Sequence, residues 1–300
     1  AAFLLVLSSP SVHQALVPLP GEIARLTRES RAKPPVEPLV HRNHVYKRTL
    51  FRKLTLDVYE PLAARPYDAP VVIFFHGGSW IHGDKITIRV VDRFLRRMRE
   101  SGYFVVAVNY TTSVLRGISG PVENAKAAIR WSAREAGRFG YDPHSIGLYG
   151  VSAGGHLALM AASAMRSAEL SFAFAFAECA PSDLVALRNG EAFEHSASLR
   201  IFPEGRLAEL SPVNHVHAEL PPVLLFHGGQ DQVVDIAQSE RYAAALREAG
   251  GYVEFERYPE GDHGFLNLSD EEWFAQETRA LEFFSEQFRA APQAESPDAK

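Results

Sequence analysis

Residues 145–167 read SIGLYGVSAGGHLALMAASAMRS, and they carry the signal that decides the fold. The mainly apolar stretch 145–149 predicts a short buried strand, and the Ala/Leu-rich stretch that begins at Ala153 predicts a helix. The pentapeptide GVSAG at 150–154 joins the two. A serine on so sharp a turn projects its hydroxyl outward, and the flanking glycines leave room where a Cβ would clash. The pattern therefore makes Ser152 a candidate nucleophile.

Strand-like and helix-like patterns alternate along the rest of the chain. Val71–Phe75 is a continuous apolar run, which is typical of a strand covered on both faces, and Leu54–Tyr59 alternates as a half-exposed strand does. Strands that alternate with helices predict an α/β fold, in which a mostly parallel sheet has helices on both faces. The other predicted strands are Tyr103–Val108, Ile146–Tyr149, Phe172–Phe176, Val223–Phe226 and Tyr252–Tyr258, and the clearest predicted helices are Pro121–Arg138, Ile236–Ala249 and Glu271–Phe288.

The composition is that of an ordinary soluble globular protein. Of the 300 residues, 46% are hydrophobic and 22% are charged, and the formal net charge is -5. This charge balance does not indicate a nucleic-acid-binding surface, so we predict no nucleic-acid partner. The single cysteine, Cys179, lies in an apolar run, which favours a buried structural thiol over a reactive nucleophile.

Three segments are predicted: an N-terminal part at 1–40, a folded α/β domain at 41–290 that carries the site, and a disordered tail at 291–300. Within the domain, 181–222 mixes apolar and polar residues without a strand pattern, and we expect a loop-and-helix cap there. The length of the chain suits a single domain with one large core.

The N-terminal part has two distinct features. AAFLLVL at 1–7 is apolar but too short to span a bilayer. We expect a signal-sequence remnant or a membrane anchor, which would make the protein exported or membrane-associated; the alternative is a docked helix on a cytoplasmic protein. The segment from Gly21 to Lys53 is rich in Lys and Arg, and we expect it to be a solvated connecting segment.

A serine hydroxyl is a weak nucleophile at neutral pH. It needs a histidine to take its proton, and an acidic side chain to orient the histidine. His263 fits this base, because it follows the strand at 252–258, and reactive groups collect beyond the carboxyl ends of strands in such a sheet. His156 lies one turn into the helix that follows Ser152, and we expect it to pack there.

Asp231 is the predicted acidic partner. It lies just beyond the apolar strand at 223–226 and gives the chain order Ser152, Asp231, His263 that is expected of this fold. The rivals are Asp183, which follows another predicted strand and is held in reserve, Asp235, which we expect to start the next helix, and Asp262, which is adjacent to the histidine and cannot readily turn onto its ring.

A glycine-rich turn, His76–Trp80, follows a predicted core strand. Attack on a carbonyl leaves a negative oxygen that backbone N–H groups can stabilise, and glycines leave these groups uncrowded. We predict that the N–H groups of Gly77, Gly78 and Ala153 form an oxyanion hole. Trp80 either roofs the pocket as a substrate contact or packs beneath the turn, and both arrangements fit the sequence.

Signals for other ligands are weak. The chain contains no G-x-x-x-x-G-K-S/T or G-x-G-x-x-G phosphate loop, and no H-E-x-x-H motif or Cys/His cluster. His76 and His227 each lie in a His-Gly-Gly turn, and neither has an acidic residue at the spacing expected of metal ligands. We therefore predict no metal site and no cofactor.

Together these residues resemble the α/β-hydrolase superfamily over residues 49–288. Within it, HGGSWIHGDK at 76–85, YDPHSIGLYGVSAGGHLAL at 141–159 and LSP at 210–212 look like carboxylesterases related to bacterial feruloyl and acetyl-xylan esterases and to hormone-sensitive-lipase-like enzymes. The resemblance implies a sheet of about eight strands with a small cap, and ester hydrolysis through an acyl-enzyme without a cofactor. Ser79 departs from the pattern, since such families often carry a third glycine there, and this bears on pocket shape more than on catalysis.

The leading prediction is a serine carboxylesterase that hydrolyses short-to-medium acyl or aryl esters of small molecules. An arylformamidase of the kynurenine formamidase type is the alternative with the same chemistry, since those enzymes share a similar HGGxW turn. The alternative of another class is a non-catalytic ligand-binding protein on the same fold. Such proteins often lose a triad residue, whereas Ser152, Asp231 and His263 are all present. The sequence makes no prediction of the oligomeric state.

Overall fold

The computed structural model describes residues 39–49, 52–63, 69–85, 92–112, 118–165, 170–189 and 204–291. In these residues eight strands form one sheet: β1 (Val40–Arg48), β2 (Lys53–Tyr59), β3 (Ala69–Phe75), β4 (Phe104–Val108), β5 (Tyr141–Val151), β6 (Phe172–Glu178), β7 (Val223–Gly228) and β8 (Val253–Tyr258). The described helices are α1 (Asp92–Glu100), α2 (Ser119–Phe139), α3 (Ala153–Ala164), α4 (Leu184–Asn189), α5 (Glu204–Glu209), α6 (Ala237–Glu248) and α7 (Asp270–Ala290).

The strands lie in the order β1-β2-β4-β3-β5-β6-β7-β8. β2 pairs antiparallel with both β1 and β4, whereas every pair from β4–β3 to β7–β8 is parallel. Parallel neighbours need a crossover connection, which explains why helices separate these strands in the chain. The predicted α/β-hydrolase fold, with a mostly parallel sheet and its expected number of strands, is confirmed.

Each face of the sheet is covered by its own helices, because side chains alternate between the faces along a strand. In β3, Val71, Ile73 and Phe75 pack into the core shared with α2, α3 and α6. Val72 and Phe74 pack into the second core, which is shared with α1 and α7. Since both sets are fully buried, β3 reads as a continuous apolar run rather than as an alternating one.

The first strand differs from what the sequence pattern predicts. The expectation of a solvated connecting segment from Gly21 to Lys53 is wrong for Val40–Arg48, which pair with β2 at the edge of the sheet. Two register shifts interrupt this pairing, and Asn43 lies in the first of them with a φ of 61°. Irregular pairing and half-buried side chains explain why VHRNHVYKR lacks the alternation of a regular strand.

Some predictions fall on residues that the structure does not describe. Residues 1–38, with the apolar stretch, and 292–300, with most of the predicted tail, lie outside the described residues. The predicted cap at 181–222 is described on either side of 190–203, where it holds α4, α5 and a 3-10 turn at Pro212–His215. Within the described ranges, none of the helices combines the length and apolar character needed to cross a bilayer.

Candidate active site

Ser152 lies on the turn between β5 and α3 in a strained backbone conformation, with φ of 55° and ψ of -121°. Its N–H donates to the carbonyl of Glu178, the last residue of β6, at 2.7 Å. A Cβ at Gly150 would overlap the backbone of Gly154, and a Cβ at Gly154 would overlap the carbonyl of Phe75. The two glycines are therefore required by the close approach of β3, β5 and α3, as the sequence pattern predicts.

His263 lies in the turn after β8 and is only 2% exposed. Its Nε2 lies 3.0 Å from Oγ of Ser152, which can donate to it. Its Nδ1 lies 2.7 Å from Oδ2 of Asp231 and donates to this carboxylate. The structure thus brings the predicted nucleophile, base and acid into one hydrogen-bonded series at the carboxyl ends of β5, β7 and β8.

Asp231 lies in the turn after β7. Its Oδ1 accepts from the N–H groups of Val233 and Val234, both at 2.8 Å, and its Oδ2 accepts from His263. Burial on its own raises the pKa of Asp231, but the charge of His263 and the hydrogen bonds from His227 and His263 outweigh burial and hold the pKa well below its usual range. The carboxylate is therefore ionised at neutral pH.

The rival aspartates hold the starts of helices. Asp183 accepts from the N–H of Ala186 in α4 at 2.9 Å and pairs with Arg241 at 3.3 Å. Asp235 accepts from the N–H of Ala237, the first residue of α6, at 2.8 Å. These contacts direct both carboxylates to local backbone groups rather than to the candidate base.

The predicted oxyanion turn lies against the candidate nucleophile. A Cβ added at Gly77 would lie 3.5 Å from the Cβ of Ser152, so the Gly77 backbone runs directly beside it. Gly78 has a φ of 115°, a conformation that favours glycine. Ala153, the third predicted donor, is the first residue of α3 and follows Ser152 directly. The turn and the start of α3 thus both lie next to Ser152, and the oxyanion hole formed by Gly77, Gly78 and Ala153 stays a prediction.

Trp80 packs beneath the turn and is only 3% exposed, which is one of the two arrangements that fit the sequence. Its Nε1 donates to Nδ1 of His156 at 3.2 Å, and Nε2 of His156 donates to the carbonyl of Leu210 at 2.7 Å. Burial lowers the pKa of His156 to about 4, so the ring is neutral at pH 7. Trp80 therefore links the turn to α3 and to the predicted cap, and its role as a substrate contact stays a prediction.

Lys85, which follows this turn in the chain, forms a buried ion pair. Nζ of Lys85 lies 3.3 Å from Oδ1 of Asp57 on β2 and donates to Oδ1 of Asn43 on β1 at 2.8 Å. The N–H of Asn43 donates to the same Asp57 oxygen at 2.7 Å. Removing either charge would leave the other buried and unpaired. The sequence does not predict this pair, because its two charges belong to elements that are separated in the chain and meet only in the folded sheet.

Cys179 lies beside the candidate triad, a contact that the sequence does not predict. Its Sγ, the carboxylate of Asp231 and a ring nitrogen of His263 lie within 4.8 Å of one another. The N–H of Gly264 donates to the sulfur at 3.5 Å. Burial, reinforced by the charge of Asp231, raises the pKa of the Cys179 thiol well above its ordinary value. The thiol is therefore neutral and a poor nucleophile, in agreement with the expectation of a buried structural cysteine.

Glu178 is a second buried group that sequence patterns do not single out. Its carbonyl holds the N–H of Ser152, while its side chain points into the core of α1 and α7, with Oε1 3.3 Å from the hydroxyl of Tyr149. Burial raises the pKa of Glu178 to about 8, although the Tyr149 hydrogen bond opposes this, and the charge of Glu277 adds to it. The carboxyl is therefore largely protonated at pH 7.

We expect Glu178→Gln to stabilise the protein increasingly as the pH rises. The unfolded glutamate ionises near pH 4.5 and the folded one near pH 8, so between these values folding retains a proton and the wild type loses stability as the pH rises. The gain should be on the order of 1 kcal/mol per pH unit across this window. Urea unfolding at several pH values between 4.5 and 8 measures the free energy of unfolding of both proteins, with the exposed Glu248→Gln as the control. If the unfolding free energies of the wild type and Glu178→Gln changed with pH in parallel, the prediction would be contradicted.

Comparisons with known proteins show which family the chain belongs to. The BD-FAE family model matches residues 56–246. Esterase LipQ of Mycobacterium tuberculosis is 32% identical over 233 residues, which cover 71% of this chain and 55% of that protein. Esterase LipC of the same organism is 26% identical over 264 residues, which cover 78% of this chain and 64% of that protein. The chain therefore spans only part of the length of these curated relatives.

Solved structures of esterases are also similar to this chain. A propionate-bound esterase of Thermogutta terrifontis matches with a TM-score of 0.67 and 26% identity, covering 87% of this chain and 99% of that one. Esterase B of Lactobacillus rhamnosis matches with a TM-score of 0.73 and 23% identity, covering 90% and 93%. The second likeness concerns the fold alone.

Proposed function

Because the chain belongs to the BD-FAE family of the α/β-hydrolase superfamily, we propose that it is a serine carboxylesterase acting on esters of small molecules. The observation that carries the proposal is the hydrogen-bonded series from Ser152 through His263 to Asp231, with distances of 3.0 and 2.7 Å. In this proposal Ser152 is the nucleophile, His263 the general base and then acid, and Asp231 the group that orients the imidazole.

In the acylation half, Oγ of Ser152 forms a bond to the ester carbonyl carbon as its proton passes to Nε2 of His263. The resulting imidazolium lies against Asp231, whose buried negative charge stabilises it. The carbonyl oxygen becomes an oxyanion, and the N–H groups of Gly77, Gly78 and Ala153 are the proposed donors to it. The carbon–oxygen bond to the alcohol then breaks, and the leaving alkoxide takes the proton from His263.

In the deacylation half, a water molecule repeats these steps. His263 takes a proton from the water as its oxygen attacks the acyl carbon, and the same oxyanion donors stabilise the second tetrahedral intermediate. The bond to Ser152 breaks, and Oγ recovers its proton from the imidazolium. The sum is one ester and one water in, one acid and one alcohol out, so the reaction balances without a redox partner or a cofactor.

Short-to-medium acyl or aryl esters are the proposed substrates. The esterase names of the relatives support ester bonds in general, and the propionate bound to the Thermogutta terrifontis enzyme supports a short acyl group.

Covalent labelling tests the proposal. The protein is incubated with a fluorophosphonate, which traps an activated serine, and its intact mass is measured. We expect one adduct, located at Ser152 by peptide mapping and absent from Ser152→Ala. Rates on p-nitrophenyl esters of increasing chain length and on N-formylkynurenine then define the substrate. An unlabelled folded protein would support the non-catalytic alternative, and preference for N-formylkynurenine would replace the carboxylesterase with an arylformamidase.

A further inference from the structure

His227 is a fully buried histidine near the end of β7, four residues before Asp231. The sequence spacing gives no indication of a metal site at His227, and the structure places the ring against an acidic side chain instead. Its Nε2 lies 3.2 Å from Oδ2 of Asp231, the same oxygen that accepts from His263. A second histidine therefore contacts the acid of the proposed triad, at the same oxygen as the base.

The neighbours of His227 determine where its proton lies. Nε2 is 2.7 Å from the carbonyl of Val234, and a carbonyl can only accept, so Nε2 carries the hydrogen. Nδ1 is 2.7 Å from Oγ of Ser239 on α6. In a neutral ring Nδ1 is then the acceptor, and the Ser239 hydroxyl donates to it. The Val234 carbonyl thus sets the tautomer, and the Ser239 hydroxyl, by donating to Nδ1, holds the ring with its Nε2–H between Val234 and Asp231.

These contacts complete the hydrogen bonding of the Asp231 carboxylate. Oδ1 accepts two backbone N–H groups, from Val233 and Val234, and Oδ2 faces the N–H groups of His263 and His227. A carboxylate offers about four acceptor sites; three of them have a full donor here, and Oδ2 also lies 3.2 Å from Nε2 of His227, whose N–H it shares with the Val234 carbonyl. A carboxylate held in this way can neither rotate away from His263 nor readily take up a proton.

We propose that His227 is a positioning residue for the proposed hydrolysis: held by Ser239, its Nε2–H fixes the orientation of Asp231 and so the alignment of His263 with Ser152. The inference rests on the proposed function. It adds a fourth and a fifth member, His227 and Ser239, to the hydrogen-bonded series and ties that series to α6. Neither residue touches the substrate, so their loss should lower kcat and leave KM nearly unchanged.

Two substitutions of His227 test this role on p-nitrophenyl acetate. His227→Leu removes the donor to Asp231, and we expect kcat to fall by about 10- to 100-fold with little change in KM. His227→Gln places an amide N–H near the position of Nε2, and we expect it to recover most of the activity. Ser239→Ala removes the hydrogen bond to Nδ1 that holds the His227 ring, without removing the ring itself, and we expect a smaller loss of kcat, of several-fold. This variant tests the proposal even if His227→Leu does not fold.

A double-mutant cycle separates positioning from a general loss of structure. In an Asp231→Asn background there is no carboxylate left to orient, so His227→Leu should cause little further loss of kcat. If the double variant lost kcat by the product of the two single losses, the proposal would be overturned. Equal kcat values for His227→Leu and the wild type would also overturn it. Fluorophosphonate labelling of the wild type distinguishes failure of the proposed function from failure of the role of His227. If no adduct forms at Ser152, the proposed function fails. If the adduct forms but the substitutions at His227 and Asp231 show no coupling, only the role of His227 is rejected.

Discussion

Ser152→Ala is expected to lower kcat by ~10⁴-fold or more, because it removes the atom that forms the acyl-enzyme. The remaining activity would come from oxyanion donors and substrate binding. The fold should be retained, since alanine keeps the Cβ, and the N–H bond from residue 152 to Glu178 does not involve the hydroxyl. Initial rates on p-nitrophenyl acetate, with Tm measured on the same samples, check this result.

Ser163→Ala is the matched control for that experiment. Ser163 lies on α3, the helix that directly follows Ser152. Among the described contacts, its hydroxyl donates only to the carbonyl of Met160, at 3.1 Å. We expect wild-type rates from this variant. A Ser152→Ala protein that kept a tenth of the wild-type rate would mean that another residue is the nucleophile.

Asp231→Asn is expected to lower kcat by about 10⁴-fold, the loss seen when the histidine of a triad is held in the wrong tautomer. The local geometry gives the reason. The N–H groups of Val233 and Val234 face Oδ1 and can bond only to an acceptor, so the carbonyl oxygen of the introduced amide must stay there. Its NH₂ group then faces Nδ1 of His263 and donates to it. The imidazole proton moves to Nε2, where it blocks transfer from Ser152.

Asp183→Asn is the control that separates the two acid candidates. Because Asp183 contacts the start of α4 and Arg241, we expect this variant to lose some stability and little of kcat. Steady-state kinetics and urea unfolding of both variants measure the difference. If Asp231→Asn kept most of its activity and Asp183→Asn lost it, the assignment of the acid would have to be reversed.

Much of the fold follows from local sequence patterns. Apolar runs such as VVIFF at 71–75 predict strands covered on both faces, and every described strand except β1 is predicted from such a run or from alternation. β1 is missed because its register shifts remove the alternation, and its basic residues suggest a solvated segment. A hydrophobic sequence pattern reflects burial, and the side chains of this edge strand are mostly only half-buried, so they leave a weak pattern.

The candidate site was also predicted only in part. GVSAG, the HGGSW turn and the order of Ser152, Asp231 and His263 can be read from the sequence, because each depends on a turn directly after a strand. The buried partners of these residues cannot be read from it. His227, Glu178 and the Asp57–Lys85 pair act through contacts between elements that lie far apart in the chain, and no local periodicity encodes them.

The sequence by itself determined the fold class and the three reactive candidates, since strand periodicity and the glycines around Ser152 are local properties. Only the tertiary structure decided which aspartate reaches the histidine, where Trp80 packs and what surrounds the carboxylate. The contacts responsible join residues 111 and 32 positions apart for Ser152–His263 and Asp231–His263. They exist because the sheet brings the carboxyl ends of β5, β7 and β8 to one edge, where turns distant in the chain become neighbours in space.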